Sequence, residues 1–178
     1  MAEPPARFWL RQAYSDLFMS VSTGTPAAPV HNCQRVGKQQ QAVEKAVKAV
    51  LAALRQRGMI RTCTPRGHTI HVEISHILSA IGRLPSSRKT NDLVQLVQNL
   101  FYAQNVGHIN DLCSLAPKWP AQGNLFPRNT EYPFQQATAA WLAPCDPEVF
   151  TQPELNRFDH LAKAVVAGAG KIVSVSER

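Results

Sequence analysis

Apolar side chains recur at helical spacing in several stretches of the chain and alternate in others. Phe8, Trp9, Leu10, Ala13, Leu17 and Phe18 fall three and four apart, which predicts a first helix over residues 8–21. A Thr/Gly/Pro loop follows at 22–29, and residues 30–36 read as a short strand closed by Gly37. The clearest signal covers 39–57, where Val43, Val47, Val50, Leu51 and Leu54 form a stripe among Ala, Lys, Gln and Arg, all but the valines strong helix formers. Gly58 follows the last basic turn, where a left-handed helix cap is expected. Residues 59–63 read as a strand and 64–67 as a turn. Ile70, Val72 and Ile74 alternate with Thr69, His71, Glu73 and Ser75, the mark of a half-buried strand.

An apolar run at 77–84 precedes a second strong helix over 92–104, capped by Thr90 or Asn91, with Leu93, Leu96, Val97, Leu100 and Phe101 facing inward. Pro117, Pro120, Pro127 and Pro133 predict an irregular excursion over 112–134. Strands are expected at 137–142 and 149–151 and a helix at 156–166. Gly168 and Gly170 should break that helix, and Ile172, Val173 and Val175 then form a terminal strand. The expected fold is therefore α+β. A helix-strand-helix-strand-strand subdomain occupies 12–82 after an N-terminal extension over 1–11. A linker and helix at 83–107 and a proline-rich insertion at 108–136 lead to a mainly β subdomain at 137–178 with short helices.

Charge sharpens the picture. The 178 residues carry a net charge of +7. Residues 1–70 hold ten Lys and Arg against three acids, and the remainder holds nine of each, so the whole excess lies in the first 70 positions. A one-sided basic region on a folded chain is the footprint of a polyanion partner. Apolar residues make up 44%, enough for a core, and no run approaches the 18 consecutive apolar residues of a membrane span. The first twenty residues combine Arg7 and Arg11 with Glu3 and Asp16 and lack the continuous apolar core of a secretory leader.

Catalytic chemistry is not visible. Cys33, Cys63, Cys113 and Cys145 include no C-x-x-C pair and read as reduced, structural thiols. His31-x-Cys33 and His68-x-x-His71 are metal half-sites without second halves. The run Gly168-Ala-Gly-Lys171 lacks the glycine and hydroxyl of a phosphate loop, because Val165 and Ile172 stand there. Glu44 and Glu73 are isolated carboxylates in the sequence, and Trp9, Trp119 and Trp141 read as core or interface. The expectation is a non-enzyme with no cofactor and no metal.

Several strings, taken in order, resemble small-subunit ribosomal protein eight. The helix and exit from Val43 to Gly58-Met-Ile-Arg61 look like that family's second helix, and Thr69-Ile-His-Val-Glu-Ile74 fits its third-strand slot. Ala80-Ile-Gly-Arg-Leu-Pro-Ser-Ser-Arg88 is similar to its linker, and Asn91-Asp-Leu-Val-Gln-Leu-Val-Gln-Asn99 to its next helix. Glu148-Val-Phe-Thr151 looks like its Gly-Val-Met-Thr string, and Ala167-Gly-Ala-Gly-Lys-Ile-Val-Ser-Val175 like its closing glycine turn and strand. The family's Ser-Thr-Ser-Lys-Gly loop falls here on Ala143-Pro-Cys-Asp-Pro-Glu148, where hydroxyls and cation are gone.

The resemblance implies a structural protein of the small ribosomal subunit, bound to rRNA in the central platform region and beside neighbouring ribosomal proteins. It implies no membrane, no small-molecule substrate and no homo-oligomer. Divergence suggests a mitochondrial ribosome in the matrix, with another organellar or a cytoplasmic ribosome as the alternative. Arg35, Lys38, Lys45, Lys48, Arg55, Arg57, Arg61, Arg66 and Arg88 would meet phosphates, and Thr151 would offer a hydroxyl. The alternative is a winged-helix DNA-binding regulator, with residues 51–60 leading into a hairpin tipped by Arg66. On the ribosomal reading, Lys38→Glu with Arg66→Glu weakens RNA association and flattens its salt dependence. A filter-binding titration over salt concentration measures both, and an unchanged slope contradicts this contact surface.

Overall fold

A computed structural model describes residues 4–21, 24–25, 28–29, 31–60, 70–85, 92–115, 130, 134–135, 141–146 and 149–178. Among them six helices carry the architecture: α1 (Ala6–Val21), α2 (Asn32–Gln56), α3 (Ile70–Gly82), α4 (Asp92–Leu100), α5 (Ala103–Ser114) and α6 (Gln152–Ser176). Extended pairing among these residues is confined to Gly24–Thr25 with Ala28–Pro29 and Phe134–Gln135 with Trp141–Leu142, two residues a side and too short to form a layer. The protein is all-helical in its described part, and the expected α+β fold is overturned.

Helix α2 is the axis. Apolar residues occupy nearly every direction around it from Ala42 to Leu54, and such a helix is stable only when covered on all sides. It packs against α1, α3, α5 and α6. The 25-residue α2 and α6 run parallel, each about 37 Å long at the usual rise. Asn32 Nδ2 donates to the Phe150 carbonyl at one end (3.3 Å) and Arg57 Nε to the Ser176 carbonyl at the other (2.6 Å). Helix α1 lies antiparallel to both, with Ala6, Ala13, Asp16 and Ser20 turned inward.

The helix termini follow local rules. Gly58 adopts φ +65°, and the Gly58 and Met59 N–H groups donate to the Arg55 and Leu54 carbonyls at 2.8 and 2.9 Å. This is the glycine cap read from the sequence. At α6, the Glu154 carboxylate accepts from the Thr151 N–H (3.0 Å) and hydroxyl (2.9 Å), and Pro153 sits in the first turn, where its missing donor costs nothing.

Three expected strands are helix instead. The short strand at 30–36 gives way to α2, which starts at Asn32. At 70–74 the decisive spacing is Ile70, Ile74, Ile77 and Ile81, four, three and four apart, all buried, while Val72 stays 50% exposed. The alternation at 70–74 is the first turn of a period-3.6 stripe that runs on through Ile77 and Ile81. At the C-terminus, Val165, Val166, Ala169, Ile172, Val173 and Ser176 continue one buried stripe, so the glycines do not end the helix and the mainly β C-terminal half is absent. Gly168 serves a close approach instead: a Cβ there would lie 2.7 Å from Leu100 Cδ1 of α4. The helix expected over 92–104 is two elements, broken at Tyr102. The strand at 149–151 is a turn and helix cap, and the strand at 59–63 lies outside the described residues beyond Ile60.

The helical register is open to test. Val72→Gln should change stability by no more than about 0.5 kcal/mol, whereas Ile74→Ala should cost about 2–5 kcal/mol in urea unfolding. On a strand, 72 and 74 would share one face and both substitutions would be costly.

Candidate nucleic-acid interface

The basic half of the chain does not become a basic stripe. Asp16, 4% exposed, faces α2 from α1 and draws in Lys38 Nζ at 3.3 Å and Lys45 Nζ at 3.9 Å. Lys38 also donates to Gln41 Oε1 (2.8 Å), and Arg35 Nε to the Ser20 carbonyl (3.3 Å). Lys48 is buried, bonded to Glu44 one turn back and set over the Trp9 ring at 5.3 Å from its centroid. Thr151 caps α6. Arg61, Arg66 and Arg88 lie outside the described residues. Of the expected phosphate contacts, Arg57 is exposed and Arg55 half-buried, both at the C-terminal end of α2.

Among the described residues, the acids of the basic half, Asp16 and Glu44, are thus interior groups. Removing one partner of the buried Glu44–Lys48 pair would leave an uncompensated charge, which costs about 3–5 kcal/mol. The chain also brings together carboxylates that the sequence leaves apart. Glu44 of α2 and Glu73 of α3 both act on the Cys113 thiol of α5, and burial, helped by those two negative charges, pushes its pKa up to about 12. Cys33 is raised as well, chiefly by burial. Among the described residues, no three His, Cys, Asp or Glu side chains gather as metal ligands.

A site remains at the end of the bundle where α2 stops. The Gly58 cap, Met59 and Ile60 face α3 across a cleft of about 370 Å³, closed by His76, Ala80, Arg83 and Leu84. On the other side of His76 a shallow groove of about 380 Å³ runs along Val72, Ser75 and Ser79. Positions 72, 76, 79 and 83 follow one another four, three and four apart, so one face of α3 presents a methyl pair, an imidazole, a hydroxyl and a guanidinium in line. Arg57, bonded to the Val175 and Ser176 carbonyls, holds its charge at the same end, and Arg178 follows two residues beyond Ser176. The floor is apolar and the rim cationic.

His76 and Arg83 were not among the expected contacts. Their signal is the seven-residue spacing, two turns of one helix face, which has meaning only where 70–82 is helical. The hairpin of the regulator alternative loses its outgoing strand to the same helix.

No helix among the described residues is long and apolar enough to cross a membrane. Comparison with protein families, with curated proteins and with solved structures finds no match to this chain.

The thiols report on this interior. In a Cys63→Ser background at pH 8, exposed Cys145 should react at once with an aromatic disulfide, half-buried Cys113, whose raised pKa keeps it a thiol, far more slowly, and buried Cys33 only on unfolding. Cys113 also sets a sign. Between pH 9, the ordinary thiol value, and about 12, the unfolded chain releases a proton that the fold retains, so stability should fall as pH rises through that window. Fast reaction of all three thiols in the folded protein would contradict this packing.

Proposed function

We propose that this protein binds RNA, taking an unpaired segment across the α2–α3 end of the bundle. One observation carries the reading: exposed Arg83 lines a cleft with an apolar floor, exposed Arg57 lies at the same end of the bundle next to the Gly58 cap, and Lys48 farther back on α2 is buried while Lys38 and Lys45 pair with Asp16. Phosphates meet the guanidinium rim, and a splayed base covers Met59, Ile60, Ala80 and Leu84. His76, Ser75 and Ser79 supply hydrogen-bonding groups along the track. A cleft of this size suits a base rather than the groove of a duplex, which favours single-stranded or looped RNA.

The proposal is narrower than the ribosomal resemblance. The strand slots that Thr69–Ile74 and 167–175 were matched to are helical here, so a place in the small subunit is not part of it. Lys38 is not part of the cleft; it pairs with Asp16 at the α1–α2 seam.

Fluorescence anisotropy with a labelled single-stranded RNA, repeated over a salt series, tests the site. Arg83→Ala should weaken binding about tenfold and lower the log–log salt slope by about 0.7. Lys171→Ala, on the exposed side of α6, should leave the slope unchanged. No binding by the wild-type chain at low salt, or equal effects of the two substitutions, would overturn the proposal.

A further inference from the structure

Helix α3 presents a row of polar side chains that the packing of the bundle does not engage. Ser75, Ser79 and Arg83 are exposed and His76 is half-buried. Among the described residues no hydrogen bond or ion pair holds any of these four side chains. The opposite face of the same helix, Ile70, Ile74, Ile77 and Ile81, is buried in the core. The row therefore stands on a rigid element with its polar groups free to meet a ligand.

The row connects two hollows. The cleft floored by Met59, Ile60, Ala80 and Leu84 lies at its Arg83 end, and the groove of Val72, Ser75 and Ser79 at the other, with His76 as the wall common to both. Ser75, Ser79 and Arg83 follow at intervals of four, so each stands about 6 Å from the next along the helix axis. That is close to the repeat of an extended sugar–phosphate chain. A base seated in the cleft, with its phosphate on Arg83, leaves the neighbouring nucleotides with their sugars over Ser79 and Ser75.

We infer that this groove selects RNA over DNA, the Ser75 and Ser79 hydroxyls each pairing with a ribose 2′-hydroxyl. The inference rests on the RNA reading and deepens it, because an apolar base pocket with a cationic edge would by itself accept either sugar. A serine hydroxyl both donates and accepts, as a 2′-hydroxyl does, so the pair forms whichever way the sugar is turned. Deoxyribose offers only C–H groups in the same place. Val72, 50% exposed, closes the groove with methyl groups that suit the carbon face of a sugar and compete for no hydrogen bond.

Both hydroxyls are in solvent before binding. A deoxyribose lying over them forgoes a bond without leaving a buried orphan, which makes each hydroxyl worth about threefold in affinity and the two together about tenfold. Neutral groups set this preference, so it holds as salt rises, whereas the phosphate contribution common to both kinds of strand falls.

Fluorescence anisotropy of the full chain with labelled oligouridylate and oligodeoxyuridylate, strands that differ only at the 2′ position, tests it. The wild type should bind the RNA strand about tenfold more tightly, at low and at moderate salt alike. Ser75→Ala combined with Ser79→Ala should bring the ratio near one by weakening the RNA complex. Ser75→Thr with Ser79→Thr, which keeps both hydroxyls, should hold it. Alanine favours a helix and both positions are exposed, so the alanine variant should fold, and far-ultraviolet circular dichroism checks that it does. Equal binding of the two strands by the wild type would overturn this inference while leaving a single-strand-binding cleft in place. An alanine variant that keeps the preference, or that loses affinity for both strands in the same proportion, would overturn it too. Failure of the wild type to bind either strand would defeat the RNA reading itself, and this inference with it.

Discussion

A helix covered on every side sets the terms for this molecule. From Ala42 to Leu54 the side chains of α2 leave scarcely any direction open to water, and α1, α3, α5 and α6 close around them. The same helix carries lysines at 38, 45 and 48, which must then find partners inside or at the seam. Asp16 takes two of them, and Glu44 with the Trp9 ring takes the third. Charge that looks like a surface property in the sequence becomes a set of registration contacts between α1 and α2. Such pairs add little net stability, but breaking one is expensive, so they favour this packing over shifted ones.

The consequence for function is a redistribution. Of the excess of +7 in the first 70 residues, Lys48 goes to the interior and Lys38 and Lys45 pair at the α1 seam. Among the described cations of that stretch, the fully exposed ones, Arg7, Arg11 and Arg57, fall in two places of different chemistry. One is the end of the bundle, where a glycine cap, an apolar floor and guanidinium groups adjoin. The other is the exposed side of α1, which carries Arg7 and Arg11. A concave cleft with a cationic edge suits a flexible polyanion.

Much of the helical content was legible, and the reasons are local. Val43, Val47, Val50, Leu51 and Leu54 fix α2, and Gly58 fixes its end, because both signals span a few turns and need no tertiary information. Residues 70–74 and 172–175 look like strands in isolation because β-branched residues in a short window satisfy period 2 and period 3.6 alike. The stripe becomes unambiguous only when Ile77 and Ile81, or Val165 and Ala169, are counted with them. Gly168 looks like a breaker in the sequence, since nothing there announces that Leu100 packs against it. The site depends on the same helix period: His76 and Arg83 share a face only on a helix. No local signal tells that Lys48 is buried while Arg57 is exposed, because that depends on where α1 lies.

The inward placement of the α2 charges is the claim that supports the rest, and lysine footprinting reads it directly. Brief acetylation of the folded protein, followed by peptide mass spectrometry, compares Lys48 and Lys45 with Lys163 and Lys171 in one experiment. The account predicts that Lys163 and Lys171 are modified early, Lys45 slowly, and Lys48 only under conditions that unfold the chain. Equal rates at all four positions would mean that α2 presents its lysines to solvent, and the packing described here would be contradicted.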